Sequence, residues 1–455
     1  MNMLSTTIRN PHESLSERNR HLISQVAALI VIASFLGWMI ASENWLLIAG
    51  MFGLLLLLLR PVEPTLGLYA FLVPFESITT LENSTGPTAT LLRYVGLLAI
   101  FVLLSVGWLR NRLVRPPKTA FYWSLFILWS GISTLWAIDQ ELALRRLPTA
   151  LGLWLLYMAI VSVRITGKEF SWVSRLTILG GLGASIYSSY IFVRTGGTIG
   201  RVSLAEGSDL SDPNFFALAL LLPLSLCFGG VLSSHTWPRR ASFLAGTGII
   251  ALAVFLTMSR GALAAVVVIA LLFVLRLHLN WRLLLPVAAT SAGLMLMPRL
   301  FFQRMHEAST SRMAGRLDIW QTGLHSLQSY GMFGAGLDNF SNAFEKYVGT
   351  SRFFAGDQRA SHNIYLTVSV EFGILGMLLL FAAVHSHMRD FPRPTGIGDD
   401  SSRLVAFEAA CWGMLVAGFG LDILWRKAFW FAWALSVAAV RVQRECDELR
   451  DPVSL

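Results

Sequence analysis

The sequence predicts an all-α protein: a polytopic bundle of about 12–14 membrane-spanning helices with one large, partly helical loop on the outer side. Three observations lead there. Of the 455 residues, 55% are hydrophobic and 14% charged, whereas soluble domains carry about 25% charged residues. Apolar runs long enough to cross a bilayer recur along almost the whole chain. The connections between them are short and polar, with the single exception of 298–362.

Taken in order, residues 1–21 form a polar N-terminal tail carrying Arg9, Arg18 and Arg20. The first apolar run is long enough to span rather than to serve as a cleaved signal. Apolar spans are expected at 22–41, 44–59, 64–79, 91–109, 119–137, 147–163, 176–193, 214–232, 242–257, 261–276 and 283–297, which make 22–297 one transmembrane region. The long loop 298–362 comes next. In it Leu317, Trp320, Leu324 and Leu327 recur at helical spacing, the pattern of an amphipathic helix lying on the membrane surface. Spans at 363–385, 405–421 and 428–441 make up a C-terminal transmembrane region, 363–441, and 442–455 is a C-terminal tail. Cys227, Cys411 and Cys446 are scattered, without metal or disulfide spacing.

Basic residues orient the bundle. Arg110, Arg112, Arg115 and Lys118 form the densest cluster and are expected in the cytoplasm; Arg164, Lys168, Arg175, Arg239, Arg240, Arg276 and Arg282 agree with it. Both tails are then cytoplasmic. The connections near 80–90, 138–146, 194–213, 258–260, 298–362 and 422–427 fall on the outer side. That side keeps an unusual share of cations, among them Arg93, Arg145, Arg146, Arg201, Arg260, Arg316, Arg359, Arg426 and Lys427. The net charge of +9 therefore points to lipid headgroups or an anionic substrate, not to nucleic acid. Guanidinium forks suit phosphate. The plainer reading is that long translocated loops escape the positive-inside bias and pair with lipid.

Arg260 resists that plainer reading. Thr257-Met258-Ser259-Arg260-Gly261 leaves almost no loop between two apolar spans, and a charge in so tight a hairpin needs a partner unless it snorkels to the surface. Gly261 allows close backbone approach. Arg316 opens Arg316-Leu317-Asp318-Ile319-Trp320 on the surface helix, where a solvated polar face is the alternative. Arg201 precedes Glu206, Asp209 and Asp212. Those acids allow a divalent-metal site, but Asp212-Pro213-Asn214 reads better as a helix start with proline first. His362 stands at the mouth of the span beginning at 363. With Leu366, Ser369, Gly373 and Gly376 it falls on one helical stripe, whose small residues would admit a neighbouring helix. A helix N-terminus disfavours the imidazolium, so His362 is expected to be neutral and able to accept a proton. Glu371, on the opposite face, either pairs with a basic residue of another helix or is protonated, and is read as structural rather than catalytic.

These residues carry a resemblance. Ser361-His362-Asn363 followed by Gly373-x-x-Gly376 resembles the signature of bacterial O-antigen ligases, which share a GT-C-like membrane superfamily with O-antigen polymerases. Thr257-Met258-Ser259-Arg260-Gly261, Arg316-x-x-x-Trp320, Gly334-x-Gly336 and Asp212-Pro213-Asn214 are similar to its other recurring blocks, and the likeness covers roughly 195–430. The resemblance implies a multi-pass glycosyltransferase of the bacterial inner membrane whose site faces the periplasm. It implies transfer of O-antigen polysaccharide from undecaprenyl diphosphate to a sugar hydroxyl of lipid A–core, without metal, cofactor or nucleotide sugar. His362 would be the general base, and Arg260 and Arg316 would stabilise the departing diphosphate. Arg201, Asn363, Asp212 and Asn214 would help hold substrate, with Lys427 a further member of the cationic cluster. A polymerase, taking a second lipid-linked glycan as acceptor, is the nearest alternative. A flippase for lipid-linked glycans is the alternative from another class, although its charges would line the midplane.

Overall fold

The computed structural model describes residues 60–81, 89–195, 201–204, 212–280, 313–351, 359–393 and 398–450. The chain divides into two compact units at Pro61, and every helix and strand named in this structure belongs to the second, Val62–Leu455. The spans expected at 22–41, 44–59 and 283–297 lie outside the described residues.

Among the described residues there are 13 α-helices. In chain order they are α1 (Val62–Leu72), α2 (Leu91–Leu109), α3 (Lys118–Ile132), α4 (Gln140–Ser162), α5 (Gly167–Arg194) and α6 (Pro213–Ser233). Then come α7 (Trp237–Leu256), α8 (Arg260–Leu277), α9 (Met313–Tyr330), α10 (Phe340–Lys346), α11 (Ile364–Arg389), α12 (Asp399–Ala417) and α13 (Lys427–Arg450). Strands among these residues are confined to a two-residue antiparallel pair, β1 (Thr80–Leu81) with β2 (Ala89–Thr90). Seven helices, α2, α4, α5, α6, α7, α8 and α11, are long and apolar enough to cross a membrane. The protein is a multi-pass helical membrane protein, as its composition predicts.

The core is where helices from distant parts of the chain meet. Trp123 of α3 packs on Trp430 and Trp433 of α13, with ring centroids 4.9 and 5.7 Å apart. Helix α12 lies against both α8 and α6, and α3 lies against α11. Helix α6 is buried nearly all round, and its sequence is correspondingly apolar on every face. Outer helices instead turn large apolar residues outward: Phe101 is 69% and Trp108 75% exposed. Such a belt is stable only against lipid tails.

The two ends differ in chemistry. At one end the cations expected in the cytoplasm meet carboxylates: Arg112 pairs with Glu169 at 2.8 Å, Arg164 with Glu445 at 2.9 Å, and Arg276 with Glu408. The opposite end is formed by the described residues of the other connections, around 79–81, 89–90, 138–146, 201–204, 212–214, 257–261, 313–351, 359–362 and 418–427. Hydrogen bonds tie these connections to one another: Asn339 to Asp139, Arg201 to Thr257, Ile364 to Gly418 and Lys427 to Thr90.

Helix α11 departs from the expected regular stripe. Gly373 has φ +65° and ψ −164°, so the helix is interrupted there. The break exposes backbone groups that a buried helix cannot leave unpaired. The turn 331–337 meets them. Ala335 and Gly336 donate their amides to the carbonyls of Val370 and Glu371 at 2.8 and 2.9 Å, and Ile374 donates to Gly331 at 2.9 Å. The Trp129 indole donates to the Phe372 carbonyl at 2.9 Å. A Cβ on Gly373 would lie 2.4 Å from the Met332 carbonyl oxygen. The glycine is there to admit a loop, not a neighbouring helix. Glu371 is structural, as expected: its Oε1 accepts the Phe340 amide at 3.2 Å and so caps α10.

The helix expected around Leu317–Leu327 forms, as part of α9, but with a different face turned inward. Ile319, Gly323 and Ser326 face inward, whereas Leu317 and Leu324 are 55% and 57% exposed.

Candidate active site

Three elements hold His362 in place. Asn363 is the N-cap of α11, its Oδ1 accepting from the amides of Tyr365 and Leu366 at 3.0 and 3.2 Å. The Ile364 amide donates to the Gly418 carbonyl at 2.9 Å, fastening the helix start to the end of α12. Trp320 of α9 donates its indole N–H to the Ser361 carbonyl at 3.0 Å. Between those anchors His362 sits at φ +49°, a left-handed conformation that a non-glycine residue adopts only when its surroundings enforce it. The Ser361 hydroxyl completes the turn, bonding the Asn363 amide at 3.0 Å and the Thr367 hydroxyl. Thr367 in turn donates to Asp422 at 3.2 Å.

The spacing Arg316-x-x-x-Trp320 now has a physical reason. One helical turn separates the two residues, so the tryptophan that grips Ser361 sets the arginine on the same face. A Cβ placed on Gly420 would lie 3.6 Å from the Arg316 guanidinium, so that glycine leaves room for it. Arg260 is the first residue of α8, behind the hairpin Thr257-Met258-Ser259, in which Met258 has φ +50° and Ser259 caps the helix by accepting from Ala262 at 3.4 Å. The hairpin is as short as the sequence suggests, and Gly261 brings it within van der Waals reach of Ala417.

Arg201 donates to the Thr257 carbonyl at 3.0 Å and to the Asn214 side-chain oxygen at 2.8 Å, tying the end of α7 to the start of α6. Asp212 is the N-cap of α6, with Pro213 next, as the helix-start reading requires. One of its oxygens accepts both the amide and the side-chain N–H of Asn214 at 2.8 Å. Glu206 and Asp209 lie outside the described residues. Among those described, no group of three His, Cys, Asp or Glu side chains could hold a metal.

Electrostatics couples these residues. Burial pushes the His362 imidazole below its ordinary value, the Arg316 charge lowers it further, Asp212 opposes, and Arg359 lowers it again. Burial also lowers Arg316, and the Arg260 charge adds to that, against Asp212. Arg316 nevertheless stays charged at neutral pH, as guanidinium does. His362 is thus neutral, though chiefly through burial and neighbouring cations, where the sequence pointed to the helix terminus. The site that results is an uncharged imidazole beside guanidiniums, with Asp212 as the carboxylate among them.

Residues 245–381 match the family model described as O-Antigen ligase. This stretch is a domain of the O-antigen ligase and polymerase superfamily. No curated protein matches the chain.

The matched stretch contains Arg260, Arg316, His362, Asn363 and Gly373; Arg201, Asp212, Asn214 and Lys427 lie beyond the match. Of the site residues expected from the sequence, the structure brings together all but one. Lys427, at the start of α13, donates to Glu76 and, at 2.8 Å, to Thr90. It lines a neighbouring cleft instead. Two participants went unassigned in the sequence: Arg359, three positions before His362, and Asp422, which holds the turn through Thr367. Arg359 was visible only as one of many outer cations, and Asp422 had no local signal.

Proposed function

We propose that the protein is an inner-membrane O-antigen ligase that transfers a polysaccharide from undecaprenyl diphosphate to a sugar hydroxyl of lipid A–core at the periplasmic face. The observation that carries this reading is the neutral, half-buried His362, held in a strained turn within electrostatic reach of Arg316. In the reaction the acceptor oxygen attacks the anomeric carbon while His362 takes its proton. The bond from that carbon to the diphosphate oxygen breaks, and the diphosphate leaves with added negative charge. Direct displacement inverts the anomeric centre.

Arg260 and Arg316, which influence one another electrostatically, would meet that charge. Their mutual repulsion is relieved when an anion binds between them. Fixed cations in a partly dry site stabilise such a leaving group without reorganising. Arg201, Asp212 and Asn214 form the wall that sets the spacing of α6, α7 and α8, and Asn363 keeps the base at the helix mouth. No step needs a metal.

Reconstitution of the purified chain with the lipid-linked donor and lipid A–core tests the proposal. Ligated lipopolysaccharide, formed equally with EDTA present, is the expected product. Lengthened lipid-linked glycan from donor alone would assign the polymerase reaction instead. No covalent product from either mixture would overturn the enzyme reading in favour of a flippase.

A further inference from the structure

Beside the His362 site lies a second cleft of about 390 Å³, between α2, α4 and the start of α13. Five cations line it, Arg93, Arg145, Arg146, Arg426 and Lys427, against two carboxylates, Glu76 and Asp338, which leaves a net +3. These carboxylates are already engaged, Asp338 with Arg146 at 2.9 Å and Glu76 with Lys427, while Arg145 holds Glu141 at 2.5 Å in an exposed pair that solvent weakens. Arg93 and Arg426 make no ion pair among the described residues, and the Arg426 guanidinium lies 3.3 Å over the Phe215 ring centroid. Cations gathered at the edge of a bilayer bear a desolvation cost that a bound anion relieves.

The wall below the cations is apolar, and the two helices repeat one arrangement. On α2, Arg93 stands at the mouth with Leu97 and then Ile100 beneath it on the same face; on α4, Arg145 stands above Gly152 and Leu156. Leu97 is 50% exposed, and nothing lies within 4 Å of a Cβ placed on Gly152. A polar anion alone would have no use for that wall. We infer that the α2/α4 cleft is a second lipid site, taking a phosphorylated amphiphile with its phosphate among Arg93, Arg145 and Arg426 and its chain along the two helices. Nothing in this depends on the reaction assigned to His362.

Binding to the full chain in neutral detergent, followed by native mass spectrometry, tests the site with three probes: polyprenyl diphosphate, phosphatidylglycerol and uncharged polyprenol. The two phosphorylated probes should bind and polyprenol should not, and the tighter of the two identifies the natural occupant. The double variant Arg93→Gln/Arg145→Gln should weaken that binding on the order of tenfold or more, the worth of one or two charge-assisted contacts. Gly152→Leu, which fills the groove without altering charge, should weaken it too. The component should persist in Arg260→Gln/Arg316→Gln, which separates it from the catalytic pocket. Unchanged affinity in both cleft variants would overturn the site. Equal binding of polyprenol, or of inorganic pyrophosphate added as a fourth, chain-free probe, would overturn its assignment to a phosphorylated lipid.

Discussion

His362 concentrates the chemistry in one side chain, and its environment makes a definite kinetic demand. A positioned general base contributes on the order of 100- to 10,000-fold in rate. His362→Ala should lower kcat by that range while leaving affinity for the lipid-linked donor nearly unchanged, because the guanidiniums that meet the diphosphate remain. Loss of donor binding with normal turnover of what still binds would contradict the assignment. The pH dependence has a sign as well. Burial and Arg316 depress the imidazole, so its basic form persists through neutral pH. The rate should be flat around pH 7 and fall only on acidification through a value below the ordinary ~6.5 of histidine. A rate that still climbs steeply above pH 7 would mean that another group supplies the base. The neutral state of this ring was legible in the sequence from its place at a helix mouth. Its main cause was not, since burial by α9 and the nearness of Arg316 arise only on folding.

Helix α11 shows how far pattern reading goes. Its span, expected at 363–385 and observed as Ile364–Arg389, follows from apolar periodicity, and α2, α6 and α8 fall within a residue of their expected bounds. Helix α5 begins nine residues before the expected 176 and α7 five before the expected 242, because their first turns are polar. The two glycines, however, suit a close helix–helix stripe and a helix break equally well in one dimension. The break is decided by the turn 331–337, whose Gly334 and Gly336 have φ of +88° and +97° and enter against Glu371 and Ala137. Gly373→Ala should therefore be costly: a side chain is strained at that φ and meets the Met332 carbonyl. We expect a loss of about 2 kcal/mol or more, read as a fall in the melting temperature of the detergent-solubilised protein. Gly248→Ala in α7, where a Cβ meets nothing within 4 Å, should not lower it. Equal melting of the two variants would remove the docking role of the break. Lys427 illustrates the opposite failure of sequence reading. Its partner Glu76 is 351 positions away, so no local pattern could assign the lysine to one cationic cleft rather than its neighbour.

At the scale of the whole molecule, the proposed reaction requires one particular end of the bundle to face outward. The charge bias of the connections divides them into two groups, and the fold keeps the groups apart: Arg112, Arg164 and Arg276 pair with carboxylates at one end, while Arg201, Arg316, His362 and Lys427 gather at the other. A long carrier lipid with its glycan outside can be met only by the second end if that end is periplasmic. Single cysteines decide it. Cys227 and Cys411 are buried and Cys446 half-buried, so all three can be replaced by alanine to give a silent background. His325→Cys on the exposed face of α9 should then react with a membrane-impermeant maleimide on spheroplasts. Arg115→Cys, exposed at the opposite end, should react only after the membrane is opened. The reverse pattern would set the imidazole and its arginines in the cytoplasm, beyond reach of a polysaccharide already translocated, and no rearrangement of site residues could rescue a ligase from that placement.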